Sequence, residues 1–240
     1  MELIVSDIDG TLLRDGKKKP DKSVISMIDE VSKENRLFAF ATGRSYVEVK
    51  KLFSNSDKCL CICCDGALCV YKEATVFEKS FEKSKLQVFE NYENVALYGK
   101  YMIYIKGRDS FLRACKKQFY SHAVAFEKAD EIKEPVYKAV IYGNGVKNEI
   151  ISGLNKIYES YNIVEFVPEG VDKCTALMNI LEKNDINKDD CTVFGDGKND
   201  KAMLSAFKNS YATAWAKPSV KACAAHVCEN VVDTIKYICK

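Results

Sequence analysis

Histidine is nearly absent from this sequence: His122 and His226 are the two in 240 residues. A metal site built on imidazole is therefore nearly excluded, and any metal is expected to sit among oxygen ligands. Arginine is scarce as well, five of the 36 cationic side chains, and the formal net charge is only +2. Arginine is the usual bidentate reader of guanine, so neither base readout nor a nucleic-acid partner is expected. Long apolar runs are missing too. Leu37–Ala41 and Cys59–Cys64 are among the longest at five or six residues, far short of the roughly 20 that a membrane helix needs. Glu2, Asp7 and Asp9 interrupt the first ten residues, which argues against a secretory leader and for a cytoplasmic protein. Cysteine alone is abundant, at eleven. The number is odd and the chain is long enough to bury a core without staples, so reduced thiols acting as small hydrophobes are expected.

The hydrophobic share is 47%, ordinary for a globular chain, and the length allows one large domain or two modest ones. Short strands are expected at Glu2–Ser6, Leu37–Ala41 and Cys59–Cys64, with helices from Asp21 to about Asn35 and from Ser45 to about Phe53 between them. Ala67–Tyr71 and Thr75–Phe77 read as a hairpin. Strand, helix and strand at this spacing predict a parallel sheet with helices on its faces, whose ligands bind beyond the carboxyl ends of the strands. From Glu78 to Pro168 the texture changes. A charged helical stretch to Asn94 leads into a strand-like Val95–Lys106, then a helix over Asp109–Tyr120 and a short strand at Ala123–Phe126. Val136–Tyr142 reads as a strand, Val146–Tyr161 as a helix and Ile163–Val167 as a strand, which together predict a second α/β module inserted into the first. The first pattern then resumes, with a helix over Asp172–Asn184, strands at Cys191–Phe194 and Tyr211–Ala214, a helix to about Phe207 and another from Pro218.

Chemistry gathers at two strand ends. Asp7 and Asp9 close the first strand before Gly10, and residues two apart on an extended chain face the same side. Carboxylates held that close repel, and a divalent cation or a shared proton relieves them. Asp196 and Asp200 stand in the turn after Cys191–Phe194. Taken singly, each Asp-Gly turn can be a simple cap. Two of them in one sheet, with no His or Cys nearby, suit a hard ion held by oxygen, Mg²⁺ above all.

The segments Asp7–Leu12 (DIDGTL), Thr42–Arg44 (TGR), Lys173 at a helix start and Gly195–Asp200 (GDGKND) resemble the four motifs of the haloacid dehalogenase superfamily, in order and spacing. The insert between the second and third is similar in place and size to the α/β cap of its Cof-type sugar phosphatases. The resemblance implies a Rossmann-like core at 1–78 and 169–240 and a cap at 79–168. It also implies a Mg²⁺-dependent phosphatase of small phosphorylated metabolites, most of all sugar phosphates. On it Asp7 is the nucleophile and Asp9 the acid and base. The metal falls to Asp7, the Asp9 carbonyl and Asp196, with Asp200 a ligand or an anchor of its waters. Gly10 gives a tight turn, Thr11 bonds near Asp9, and Thr42 offers its hydroxyl and N–H to the phosphoryl group. Gly43 and Arg44 complete that turn as further phosphate- and substrate-binding residues, Lys173 neutralises the transition state, and Asn199 holds the phosphate or the nucleophile. A monomer or weak homo-oligomer is expected.

The pattern departs from its relatives in two places. Asp65-Gly66-Ala67 stands where Asn-Gly-Ala is usual, and a carboxylate there weakens phosphate binding unless a cation or proton offsets it. After Tyr211 the chain reads Ala-Thr-Ala-Trp-Ala where glycines are usual, and Trp215 reads as core rather than as the wall of the entrance. Cys61 and Cys64 have the spacing of a zinc pair, yet Cys59, Cys61 and Cys63 share one strand face, which favours a buried strand. A phosphomutase of hexose phosphates is the alternative within the same chemistry, and a non-catalytic phospho-ligand module the alternative outside it.

Overall fold

Alternation within the short apolar runs builds the layers. In β1 (Glu2–Ser6), Leu3 and Val5 join one core cluster while Ile4 joins the other, as the two-residue period of an extended chain requires. The computed structural model describes residues 1–14, 16–32 and 35–239. Asp15, in the polar, Lys-rich stretch up to Lys19 that reads as a loop, and positions 33–34 of the expected first helix lie outside these. α1 (Lys22–Val31) buries Val24, Met27, Ile28 and Val31 at spacings of three and four, the stripe that seats a helix on a sheet. β2 (Arg36–Ala41) follows. α2 (Tyr46–Leu52) then opens where the Ser45 N–H and hydroxyl both donate to Glu48, which fixes its first turn. β3 (Leu60–Cys63) pairs in parallel with β2, and β4 (Leu68–Tyr71) and β5 (Ala74–Glu78) add two antiparallel strands at the edge.

The inserted layer follows. The stretch expected to be helical as far as Asn94 contains only α3 (Lys83–Leu86) and a 3-10 segment at Gln87–Asn91. The strand-like region from Val95 is two strands, β6 (Asn94–Tyr98) and β7 (Ile103–Lys106), folded as a hairpin. α4 (Asp109–Phe119), β8 (Ala123–Ala125) and β9 (Lys138–Tyr142) come next. The helix expected over Val146–Tyr161 is a correction: it is a 3-10 turn at Val146–Asn148 and then β10 (Leu154–Glu159), antiparallel to β11 (Ile163–Pro168). Gly153, at φ +77°, takes a left-handed turn that ends any helix. A bulge between Lys156 and Tyr158 also disturbs the alternation by which a strand is recognised. The six strands run in the order β10-β11-β9-β6-β7-β8. α4 packs on one face through Cys115 and Phe119, and α3 on the other through Leu86.

The chain then returns to the first sheet with α5 (Lys173–Lys183), started by Asp172, whose carboxylate accepts the Thr175 N–H at 2.7 Å. β12 (Cys191–Gly195), α6 (Lys201–Ala206), β13 (Asn209–Thr213), α7 (Pro218–Lys221), β14 (His226–Cys228) and α8 (Val231–Ile238) complete the chain. β14 was not expected. The first sheet reads β14-β13-β12-β1-β2-β3-β4-β5, and its six strands from β14 to β3 are parallel. α1, α2 and α8 cover one face and α5, α6 and α7 the other. This is the Rossmann-like core with an inserted α/β cap that the sequence implied. β1 lies between β2 and β12, so the connections diverge from its carboxyl end. A crevice opens at such a switch point. Among the described residues no helix is long and apolar enough to cross a membrane.

Candidate active site

Asp7 stands at that crevice, just past β1. Its N–H donates to the Phe194 carbonyl at 3.0 Å, which extends the β1–β12 pairing by one rung. The chain turns sharply after it, because Gly10 at φ +86° donates to Leu13 O while Leu13 donates back to Ile8 O. A Cβ on Gly10 would lie 2.2 Å from Asp196 Oδ2, so the close approach of the two motifs also requires glycine. Asp196 follows β12. The N–H groups of Asp196 and Gly197 donate to Asp200 Oδ2 at 3.0 and 2.8 Å. The other oxygen of Asp200 takes the Lys173 ammonium at 2.7 Å, and Lys173 also reaches Asp7 Oδ1 at 2.7 Å. Lys173 opens α5 and is completely buried.

Asp7, Asp196 and Asp200 each bring one carboxylate oxygen within 4.8 Å of the others. Three carboxylates around one ammonium leave two negative charges to be balanced. Burial pushes Asp7 well above the usual carboxylate range; Lys173 pulls it down and Asp200 and Asp196 push it up. Asp196 is also raised, by burial first, against the pull of the Thr11 hydroxyl, which donates to its Oδ1 at 2.6 Å. A donor set of oxygens alone, short of positive charge, fits a hard divalent cation such as Mg²⁺. Lys173 is lifted far above its ordinary range. Burial alone would lower it, but Asp200 and Asp7 outweigh that.

Around this centre the expected residues take specific places. The Asp9 carboxylate is half-exposed and gripped by Arg44 through two bonds of 2.6 Å, a planar pairing that fixes its orientation. Arg44 is raised in turn: its own burial would lower it, but the bond to Asp9 prevails. Thr11, expected near Asp9, bonds Asp196 instead. Thr42 is buried, and its N–H belongs to the sheet, donating to Ile62 O at 2.9 Å. The expectation that this N–H meets a phosphoryl group is corrected. Arg44 N–H points at the Thr42 hydroxyl and Ser45 N–H at Glu48. Among the described residues this leaves the Gly43 N–H as the turn's unpartnered backbone donor. Asn199 donates to Asp65 Oδ1 at 2.8 Å. Trp215 is a correction as well: it is half-buried, donates its indole N–H to Gly10 O at 2.6 Å and carries Arg14 4.2 Å above its ring. It walls a cavity of about 780 Å³ between the two sheets, with Asp65, Asp196 and Asn199 from the core and Tyr158 and Lys138 from the cap.

Lys138 and Glu165 were missed. The signal was present, since Lys138 interrupts the apolar run Val136–Tyr142, and a lysine inside a buried strand demands a partner.

With this geometry in place, residues 4–234 match the haloacid dehalogenase-like hydrolase family. The chain belongs to that family and is a hydrolase. It is similar to the 5-amino-6-(5-phospho-D-ribitylamino)uracil phosphatase YbjI of Escherichia coli, 21% identical over all of this chain and 97% of the relative. A haloacid dehalogenase-like hydrolase from Bacteroides thetaiotaomicron superposes with a TM-score of 0.83 at 20% identity, over 99% of both chains. The subclass IIB sugar phosphatase BT4131 does so at 0.76, also 20% identical over 99% of both. At this identity the structural likeness speaks for the fold.

Proposed function

We propose that this protein is a Mg²⁺-dependent phosphatase of small phosphorylated metabolites, sugar phosphates foremost, that works through an aspartyl-phosphate on Asp7. The observation that carries the reading is the buried Asp7–Lys173–Asp200 linkage with Asp196 beside it, at the switch point of a parallel sheet. The chain is a phosphatase by its family and its curated relatives. The names of the E. coli relative and the subclass IIB structure support a phosphorylated, sugar-like substrate. Residues 1–78 and 169–240 form the catalytic core in this reading and 79–168 the cap. The protein acts in the cytoplasm as a monomer or weak homo-oligomer, without nucleic acid.

Asp7 attacks phosphorus, and the leaving oxygen departs with a proton from the Asp9 carboxyl, which gives up at least one of its two Arg44 bonds to carry it. Asp9 then takes a proton from the water that hydrolyses the acyl-phosphate, which returns Asp7. Lys173 fixes the Asp7 carboxylate through one oxygen and offers positive charge to the phosphoryl group. The Thr42 hydroxyl and the Gly43 N–H donate to its oxygens. Asp7, the Asp9 carbonyl and Asp196 would hold Mg²⁺, with Asp200 as ligand or anchor. The ion supplies the charge that lets a carboxylate approach a phosphate dianion. Gly10 and Thr11 keep Asp196 against the Asp7 turn, and Asn199 fixes Asp65.

Phosphate release from p-nitrophenyl phosphate and a sugar-phosphate panel with Mg²⁺ tests the reading. Turnover is expected, and Asp7→Asn should lower it by more than roughly 10³-fold with an unchanged circular dichroism spectrum. Silence across the whole panel would end it.

A further inference from the structure

Lys138 begins β9 of the cap, yet its ammonium lies in the turn after β2 of the core. It donates to Gly43 O at 2.9 Å, meets Glu165 of β11 at 2.5 Å and stands 3.5 Å from Asp65 Oδ2. The side chain is 8% exposed, and an ammonium that is out of water needs each of these partners. Burial pulls its pKa down, but Asp65 and then Glu165 outweigh that and leave it raised.

Asp65 is as tightly fixed from the core side. Its N–H donates to Thr42 O at 2.9 Å and its Oδ1 accepts from Asn199. Its Oδ2 stands 2.9 Å from where a Gly43 Cβ would lie. Cys64, Asp65 and Gly66 all have positive φ, at 50, 52 and 104°. Left-handed non-glycine residues are strained and persist where the surroundings over-determine them. The carboxylate is thus pressed against Gly43, beside the place assigned above to a phosphate dianion, and like charges so placed repel.

We propose that Lys138 is a positioning residue that the cap lends to the core's phosphoryl site: it holds the Gly43 carbonyl and offsets the charge of Asp65, sharing its own charge with Glu165. Phosphate binding then depends on the cap lying on the core, because the cation that makes Asp65 tolerable arrives with β9. Asp65 is the reason the cation is needed. The inference rests on the phosphatase reading, and the test separates the two.

Wild type, Lys138→Met, Asp65→Asn and the double variant are compared on p-nitrophenyl phosphate with Mg²⁺. Lys138→Met is expected to raise KM about tenfold or more while kcat changes much less, the mark of lost ground-state binding. The double variant should recover most of that loss, and Asp65→Asn alone should leave KM at or below the wild-type value. A structural role would make the double variant worse than either single change. An unchanged KM in Lys138→Met, or no recovery in the double variant, overturns the inference. If Lys138→Met does not fold, Asp65→Asn decides alone, and a raised KM there overturns it. A wild type without turnover ends the phosphatase reading instead. The same four proteins are then compared by the shift in thermal midpoint that inorganic phosphate induces with Mg²⁺. Loss in Lys138→Met and return in the double variant supports the inference, and any other pattern defeats it.

Discussion

Thr11 gives its hydroxyl to Asp196, not to its sequence neighbour Asp9, and that bond pulls against burial at the proposed metal site. The bond favours the ionised form of Asp196 against the burial that raises it. Thr11→Val should therefore weaken Mg²⁺ activation by about 10–100-fold, the usual loss when a partner of a metal ligand is removed. Titrating activity against Mg²⁺ checks this, and an unmoved midpoint would refute it. At this scale the sequence was informative wherever chemistry sat at a strand end. Asp7, Asp196, Asp200 and Lys173 stand close together, as the motifs implied. Thr42 was half legible: its hydroxyl is at the turn, but its N–H is claimed by the sheet. Lys138 was not legible as part of the site, because its place depends on two sheets meeting.

The elements divide along the same line. Helices and strands of the core follow simple periods, with Val24, Met27, Ile28 and Val31 on one stripe and Leu3 and Val5 opposite Ile4. In the cap, β10 was hidden because its exposed outer face and its bulge mimic helical spacing, and tertiary pairing with β11 decides its conformation. The cysteines of β3 and β4 behave as the strand reading expects. Cys59, Cys61, Cys63, Cys64 and Cys69 are buried, and burial pushes the Cys61 thiol up to about 12. A thiolate-selective reagent should therefore modify only Cys174, Cys223 and Cys239, which are half-buried, until the protein unfolds. Peptide mapping after labelling tests this; early modification of Cys61 would contradict it.

At the scale of the whole molecule, stability opposes the proposed function at Asp7. Burial holds Asp7 and Asp196 above the ordinary carboxylate range, so the folded protein keeps protons that the unfolded chain releases. Their contribution to stability is complete below the unfolded value, near pH 4, and is lost as pH rises through the folded values. Without divalent cations, Asp7→Asn should melt above wild type at neutral pH, and the gap should shrink as pH falls toward 4. Mg²⁺ should close it by stabilising wild type more. Thermal melts across that range, with and without Mg²⁺, are the measurement, and a gap independent of pH would refute the account.

One contact has a longer reach. The Lys79 ammonium, just beyond β5, touches the Glu169 carbonyl, just beyond β11, at 2.7 Å. The polypeptide leaves the first sheet and re-enters it at a single doorway. Everything between could be exchanged or shed without rethreading the remainder, and the Lys138–Asp65 contact is the tie that any such exchange has to respect.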